Sequence, residues 1–115
     1  MAKLTRQDIE ERAREQGASQ LRIEKEELTQ LDLSNLSLSG ISFSDSRLEK
    51  ASLSRSDLSG ADFSRSILSN ASLIEANLSE TTMVGANLKG ANLTGADLHG
   101  ANLREATFYR SNLSG

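Results

Sequence analysis

The single histidine of the chain, His99, is the side chain best suited to acid–base chemistry at neutral pH. Nucleophilic catalysis needs a nucleophile, a base and an orienting group in a pocket. His99 has no evident relay partner, although Asp97 and Ser79 could lie near it. The repeat described below instead places His99 facing solvent. The chain has no cysteine, which removes a thiolate nucleophile and a thiolate metal site. We therefore expect a protein that is not an enzyme and has no catalytic residue, cofactor or metal.

Serine and glycine recur at intervals of five residues, which indicates a structural role. Serines such as Ser34 and Ser39 follow a leucine, and we interpret them as turn-forming, hydrated residues rather than phosphorylation sites. The glycines at 85, 90, 95 and 100 have the same spacing. A phosphate-binding loop would lead into a helix, and none is expected here. The spacing therefore indicates a repeating backbone turn.

The segment GANLKGANLTGADLHGANLRE, residues 85–105, shows this period most clearly. A period of five matches neither an α-helix, with about 3.6 residues per turn, nor a strand, with two. When residues 31–115 are divided into seventeen units of five, position three is always apolar and position one is small from Ser46 onward. The position-three residues are Leu33, Leu38, Phe43, Leu48, Leu53, Leu58, Phe63, Leu68, Leu73, Leu78, Met83, Leu88, Leu93, Leu98, Leu103, Phe108 and Leu113. This unbroken series predicts a solenoid.

Positions one and three of each unit are expected to point inward and the other three outward, so that each unit forms one wall of a tube. With four walls, a coil contains 20 residues, and Phe43, Phe63 and Met83 would stack in one column because they are 20 residues apart. Adjacent coils would lie about 4.8 Å apart and pair as parallel strands do. The sequence thus predicts an all-β solenoid over residues 31–115.

Several units match the pattern A(D/N)LXX: ADF at 61–63, ANL at 86–88, 91–93 and 101–103, and ADL at 96–98. On these residues the chain resembles the pentapeptide-repeat family. The resemblance covers residues 31–115 and implies a right-handed quadrilateral β-helix. It implies no single function, because the members of this family are functionally diverse.

Residues 1–30 differ in composition from the repeats and are predicted to form a helical N-terminal cap. A helix is expected over residues 4–17, with Thr5 as N-cap, Asp8 in a capping box and Gly17 as the stop. The first coil of a solenoid exposes apolar side chains and unpaired strand edges. The helix is expected to cover that end together with a plug of Leu21, Ile23 and Leu28. The alternative is a helix that docks a partner.

Charge is distributed unequally among the four predicted walls. The basic wall, centred on Leu48, Leu68, Leu88 and Phe108, exposes four basic residues against Glu49. The acidic wall on the opposite side, centred on Leu38, Leu58, Leu78 and Leu98, exposes Asp57, Glu80 and Asp97. The basic wall also carries apolar residues; such a mixture is common at interaction sites, although scattered exposed apolar groups are ordinary. The candidate partner-binding residues are Arg47, Lys50, Ile67, Lys89, Tyr109 and Arg110.

Three functions are compatible with this surface. The first is a non-enzymatic protein–protein interaction scaffold, because a stiff rod offers contact area at little ordering cost. The second is implied by the resemblance to quinolone-resistance members of the family: a DNA mimic that inhibits a type II topoisomerase such as DNA gyrase. Nine acidic against seven basic residues over 31–115 match a mimic poorly. The third is a targeting or chaperone module of a secreted effector system.

The expected partner is a protein that has not been identified. Lys+Arg 13 against Asp+Glu 16 gives a net charge of −3, which favours neither nucleic-acid nor membrane binding, and no apolar run is long enough to span a bilayer. A cytoplasmic location is the expectation. The repeat still runs at Gly115, which suggests either a homodimer formed through the uncapped C-terminal coil or a chain cut from a longer protein.

Overall fold

The computed structural model describes residues 3–113 as an N-terminal helix followed by a tube of stacked coils. Helix α1 spans Arg6–Gln16, and a short 3-10 helix, Ala18–Gln20, follows it. From Arg22 to Asn112 the chain pairs through isolated parallel bridges. Each wall contributes one bridging residue per coil, so the walls of the described region form bridges rather than regular strands.

Every bridge joins residues that are 20 positions apart, from Arg22 with Ser42 to Asn92 with Asn112. Because the sequence unit has five residues, this register places four units in each coil, as the sequence predicts. The position-three N–H donates to the position-two carbonyl of the next coil, for example Leu48 N to Ile67 O at 2.7 Å. The coils are therefore held in register by backbone hydrogen bonds along the length of the tube.

The ladder of bridges begins at Arg22, within the segment that the sequence assigns to the cap. Ile23 and Leu28, expected to plug the tube, are position-three residues of its first coil, 1% and 2% exposed. The repeat is hard to recognise here because position one holds Leu21 and Glu26 rather than a small residue. The segment thus contributes both a helix and the first walls of the tube.

Each unit ends in a turn that requires left-handed backbone at position five. Leu48 O accepts the Ala51 N–H at 3.0 Å, and Lys50 between them has φ 59°. A positive φ at the third residue of such a turn is typical of type II geometry. Gly85 meets this requirement with φ 71° and no Cβ to clash. The glycines at 85, 90, 95 and 100 are therefore turn residues, as predicted.

The core is a single shaft of position-three side chains with small position-one residues between them. Phe43, Phe63 and Met83 are fully buried in one column. Position-one hydroxyls bond to the backbone, as Ser46 Oγ does with Ile23 O at 2.7 Å and Ser66 Oγ with Phe63 O at 2.7 Å. Within residues 3–113, no buried side-chain nitrogen or oxygen lacks a hydrogen-bond partner.

Helix α1 covers the N-terminal end of the shaft. Its Ile9 is fully buried in the same apolar cluster as the coils. The predicted capping box is present: Asp8 N donates to Thr5 Oγ1 at 3.1 Å, and Thr5 N donates to Asp8 Oδ2 at 2.9 Å. Arg6 Nη1 donates to the carbonyl of Asp32 at 3.1 Å, which satisfies one group on the edge of the first coil.

Candidate functional site: the basic wall

The bridge register sorts the six candidate residues into three columns on the basic wall. Arg47 and Ile67 are directly paired in the position-two column. Lys89 and Tyr109 are one coil apart in the position-four column, and Lys50 and Arg110 lie in the position-five column. The column of Arg47 and Ile67 also continues downward to Glu27, since the first coil begins earlier than the sequence predicts.

In the lower part of the basic wall, Arg47 is electrically compensated, whereas the exposed Lys50 forms no ion pair within residues 3–113. Arg47 Nη2 lies 2.7 Å from Glu49 Oε1, and its Nε donates to the same oxygen at 2.9 Å. This hydrogen bond and the charge of Glu49 raise the pKa of Arg47. Ile67 is half-buried rather than fully exposed. Arg47 and Ile67 therefore offer less charge and less apolar surface than the sequence suggests.

The upper part of the basic wall gathers two cations around one aromatic ring. Lys89 Nζ lies 5.8 Å from the centroid of the Tyr109 ring, and Arg110 Cζ lies 5.2 Å from it. The 20-residue register brings Lys89 under Tyr109, and Arg110 is its chain neighbour. Tyr109 is 58% exposed. Both distances fall within the range of a cation–π contact. We call these three residues the Lys89–Tyr109–Arg110 cluster.

The side chains considered for catalysis make turn contacts instead. Asp97 Oδ1 accepts the backbone N–H of His99 at 2.9 Å, and His99 is exposed. The hydroxyl of Ser79 donates to Asn77 Oδ1 at 2.7 Å. The described contacts of Ser79, Asp97 and His99 thus stabilise turns of the acidic wall. These contacts do not connect the three side chains as a catalytic relay would.

The position-two Asn and Asp residues have a structural role that the sequence reasoning missed. Asp62 Oδ1 accepts both the N–H and the hydroxyl of Ser64, at 2.9 and 2.6 Å. The same backbone contact is made by Asp32, Asp57, Asn77, Asn87, Asn92, Asp97 and Asn102. It is an Asx-type contact that stabilises the turn after position three. The signal in the sequence is the recurrence of Asn or Asp every five residues. This contact explains the preference for Asn or Asp at position two of the A(D/N)LXX pattern.

One groove lies away from the basic wall, between α1 and the first coil. It has a volume of about 390 Å³ and is lined by Glu10, Ala13, Arg14, Asn35, Leu36, Ser37 and Leu38. In the part of the chain that the structure describes, no three His, Cys, Asp or Glu side chains are arranged to hold a metal ion. No helix within residues 3–113 is long and apolar enough to cross a membrane.

The five-residue units, the turns at position five and the 20-residue register define a β-helical solenoid. The chain belongs to the pentapeptide-repeat family: the family model for pentapeptide repeats matches eight copies, over residues 27–65, 56–95 and 83–115. Proteins of this family form right-handed quadrilateral β-helices and are generally non-enzymatic structural or interaction proteins. A comparison of the sequence with curated proteins gave no match.

Solved structures of pentapeptide-repeat proteins are similar to this chain. Rfr23 from the cyanobacterium Cyanothece 51142 is 29% identical, with a TM-score of 0.78 over 79% of this chain and 63% of that chain. A protein of the Arabidopsis thaliana thylakoid lumen is 28% identical, with a TM-score of 0.56 over 79% of this chain and 57% of that one. QnrB1, a plasmid-mediated fluoroquinolone resistance protein, is 18% identical with a TM-score of 0.42, over 78% of this chain and 62% of that one. The chain therefore spans less than two thirds of each of these structures.

The expectations about location and assembly stay predictions. Cytoplasmic location has no test in the structure or in these comparisons. The same is true of a homodimer through the C-terminal coil, where the described residues include the partly buried Phe108 and Leu113, which is 54% exposed. The last unit of the repeat, 111–115, extends beyond the described residues.

Proposed function

We propose that this protein is a non-enzymatic interaction scaffold that presents the basic wall to a protein partner. The right-handed sense of the quadrilateral coil is part of the proposal. It is supported by the family fold and by the strong preference of parallel crossover connections for right-handedness. The observation that carries the proposal is the ladder of bridges from Arg22 to Asn112 in one register. Since each coil is bonded to the next, the side chains of a wall keep fixed spacings. A surface organised in this way loses little conformational entropy on binding.

The basic wall is preferred to the acidic wall because of what its side chains do in the unbound protein. Carboxylates of the acidic wall, such as Asp57 and Asp97, already accept backbone N–H groups of their own turns. Lys89 and Arg110 form no ion pair within residues 3–113, and both lie beside the exposed ring of Tyr109. Aromatic and arginine side chains are enriched among the residues that dominate binding energies. The basic wall thus supplies the better contact surface.

The DNA-mimic alternative has less support. A mimic needs an acidic face that continues along the rod. In the first coil, the acidic wall consists of residues 36–40, whose outward positions hold serine and glycine and no acidic residue. Its carboxylates in the next coils are confined to Asp57, Glu80 and Asp97. No described residue favours the targeting or chaperone alternative. The scaffold is therefore the function that we propose.

A crosslinking experiment on two matched walls tests the scaffold. Ser69 and Ser79 both occupy position four and are half-buried, but they lie on the basic and the acidic wall respectively. A photo-reactive amino acid at residue 69 should crosslink a specific partner, and the same group at residue 79 should not. Replacing Ile67, Lys89 and Tyr109 together should abolish the crosslink, while replacing Ser39, Glu80 and His99 should leave it.

Two results would contradict this proposal. Equal crosslinking from both walls, or a crosslink that survives the triple replacement, would show that the basic wall is not the contact surface. Inhibition of DNA gyrase supercoiling by the purified protein would instead favour the DNA mimic. Circular dichroism and melting curves of each variant would verify that the solenoid is intact.

A further inference from the structure

We infer that the segment recognised by the basic wall is an acidic peptide, with a carboxylate bound between Lys89 and Arg110 and an aliphatic stem packed on Tyr109. This inference rests on the proposed scaffold function and adds the chemistry of the partner. It also narrows the contact surface from six candidate residues to the three of the Lys89–Tyr109–Arg110 cluster.

The two cations of the cluster lack a carboxylate partner of their own. The described ion pairs engage other bases, such as Arg47 with Glu49 at 2.7 Å and Arg65 with Asp45 at 2.9 Å. In contrast, the Lys89 ammonium and the Arg110 guanidinium form no ion pair within residues 3–113. They lie 5.8 and 5.2 Å from the centroid of the Tyr109 ring. A carboxylate that enters between them would gain two charge-assisted hydrogen bonds. Arg47 is a poor substitute, because Glu49 already occupies its guanidinium.

The tyrosine ring determines what accompanies the carboxylate. Tyr109 is 58% exposed and flanked by cations, so its ring offers apolar area that is already oriented. Tyrosine loses little side-chain entropy on binding and combines apolar contact with a hydroxyl that forms hydrogen bonds. The methylene groups of a glutamate or aspartate match this arrangement, since they can lie on the ring while the carboxylate reaches the cations.

The distribution of charge favours an acidic peptide over a nucleic acid. The cluster contains two bases within adjacent coils, which lie about 4.8 Å apart. Below it, the position-five column passes through the uncharged Gly90 and Asn70 before it reaches Lys50, three coils below Arg110. The position-two column holds the uncharged Asn87, and its Arg47 is compensated by Glu49. Nucleic-acid-binding surfaces need a longer basic stripe, and the chain as a whole has a net charge of −3. A short anionic peptide requires neither.

The chain supplies its own reporter for a binding experiment. Tyr109 is its single tyrosine and there is no tryptophan, so intrinsic emission excited near 280 nm reports on this cluster. The full chain is titrated with a ten-residue Glu/Gly peptide without aromatic groups, and in parallel with Lys/Gly and Ser/Gly peptides of equal length. We expect a saturable change with the Glu/Gly peptide alone, weakened by salt because exposed charges are screened.

Matched variants test the assigned contacts. Lys89→Met and Arg110→Met should each weaken binding of the Glu/Gly peptide about tenfold, whereas Arg47→Met should change it less than about twofold. Equal binding of the Ser/Gly peptide, or unchanged affinity in both cluster variants, would overturn the inference. So would tighter binding of a ten-base-pair DNA duplex than of the acidic peptide.

The scaffold proposal and the acidic-peptide inference can fail separately. If residue 69 crosslinks a partner but the Glu/Gly peptide does not bind, the scaffold stands and the acidic chemistry is wrong. If neither occurs, both are wrong. Melting curves of the Met variants are expected to match the wild type, because the three replaced side chains are exposed on the basic wall.

Discussion

The aromatic rings of Phe43 and Phe63 stack on each other, with centroids 5.6 Å apart and planes inclined by 29°. These residues are 20 positions apart and occupy the same wall in consecutive coils, and Met83 continues their column. The stack shows that these two position-three side chains pack against each other across consecutive coils of the shaft. A substitution at one of these positions should therefore also disturb the packing of the neighbouring coils.

Within this column, substitution of Phe63 is expected to cause the largest loss of stability. Phe63→Ala should lower the free energy of unfolding by about 3–5 kcal/mol, because it removes a fully buried ring and leaves a cavity against Phe43. Phe63→Leu should cost less, roughly 1–2 kcal/mol, since leucine already fills position three in most units. Urea unfolding monitored by circular dichroism gives both values. Similar losses for the two variants would argue against the stacked column.

Positions three and one should respond to opposite changes in volume. Leu88→Ala should cost about 2–5 kcal/mol, as other truncations of fully buried leucine do. Ala91→Leu should cost about 1–3 kcal/mol by overpacking, because Ala91 is fully buried. Thr94→Ser is the control and should stay within about 0.5 kcal/mol. Thermal melts rank the three variants, and a tolerated Ala91→Leu would show that position one has spare room.

The period of the tube could be predicted from the sequence because one physical requirement repeats in every unit. A narrow shaft needs an apolar residue at position three, and Phe43 and Phe63 also revealed that equivalent walls are 20 residues apart. The turn needs left-handed backbone, so glycines such as Gly85 and Gly90 appeared in register. The turn constraint and the packing constraint recur with the same five-residue period, so each unit supports the same prediction as its neighbours.

The first coil and the compensated part of the basic wall could not be predicted in the same way. Glu26 at a position-one site hides the repeat, yet its backbone N–H simply bonds to Ser46 Oγ at 3.1 Å. The pairing of Arg47 with Glu49 depends on side-chain rotamers rather than on spacing. Spacing did bring Lys89 and Tyr109 to one wall, but the cation–π contacts required the structure.

The ion pair between Asp45 and Arg65 should make stability depend on pH. Arg65 Nε lies 2.9 Å from Asp45 Oδ1, and this hydrogen bond, against a smaller opposing effect of burial, lowers the pKa of Asp45. Because the folded pKa lies below the unfolded value of about 3.9, the stabilisation is fully present above the unfolded pKa. It is lost as the pH falls through the lower, folded pKa.

The variant Asp45→Asn isolates this effect. Its melting temperature should lie slightly below that of the wild type at pH 7, and the difference should shrink as the pH falls below about 4 and vanish below the folded pKa of Asp45. Because the pair is exposed, added salt should also reduce the difference. In an Arg65→Met background, Asp45→Asn should show a much smaller pH-dependent change. An equally large change in that background would mean that Arg65 is not the cause.

Gly40 and Gly60 provide a matched test of how α1 and the 3-10 helix are joined to the tube. Both glycines lie at position five of the acidic wall, with φ 78° and 69°. A Cβ at residue 60 would meet no atom within 4 Å, so Gly60→Ala should cost only the left-handed backbone strain of about 1–2 kcal/mol.

At residue 40, a Cβ would lie 2.9 Å from Ser19 Cβ and 3.1 Å from Ser19 Cα, so the backbone of the 3-10 helix must move. Gly40→Ala should therefore cost more than Gly60→Ala and should speed amide hydrogen exchange in α1, because the segment that joins α1 to the first coil is displaced. Gly60→Ala should leave exchange in α1 unchanged. Equal stability losses with identical exchange in both variants would show that the close approach of Ser19 to Gly40 does not hold the cap in place, and that the burial of Ile9 suffices to dock the helix.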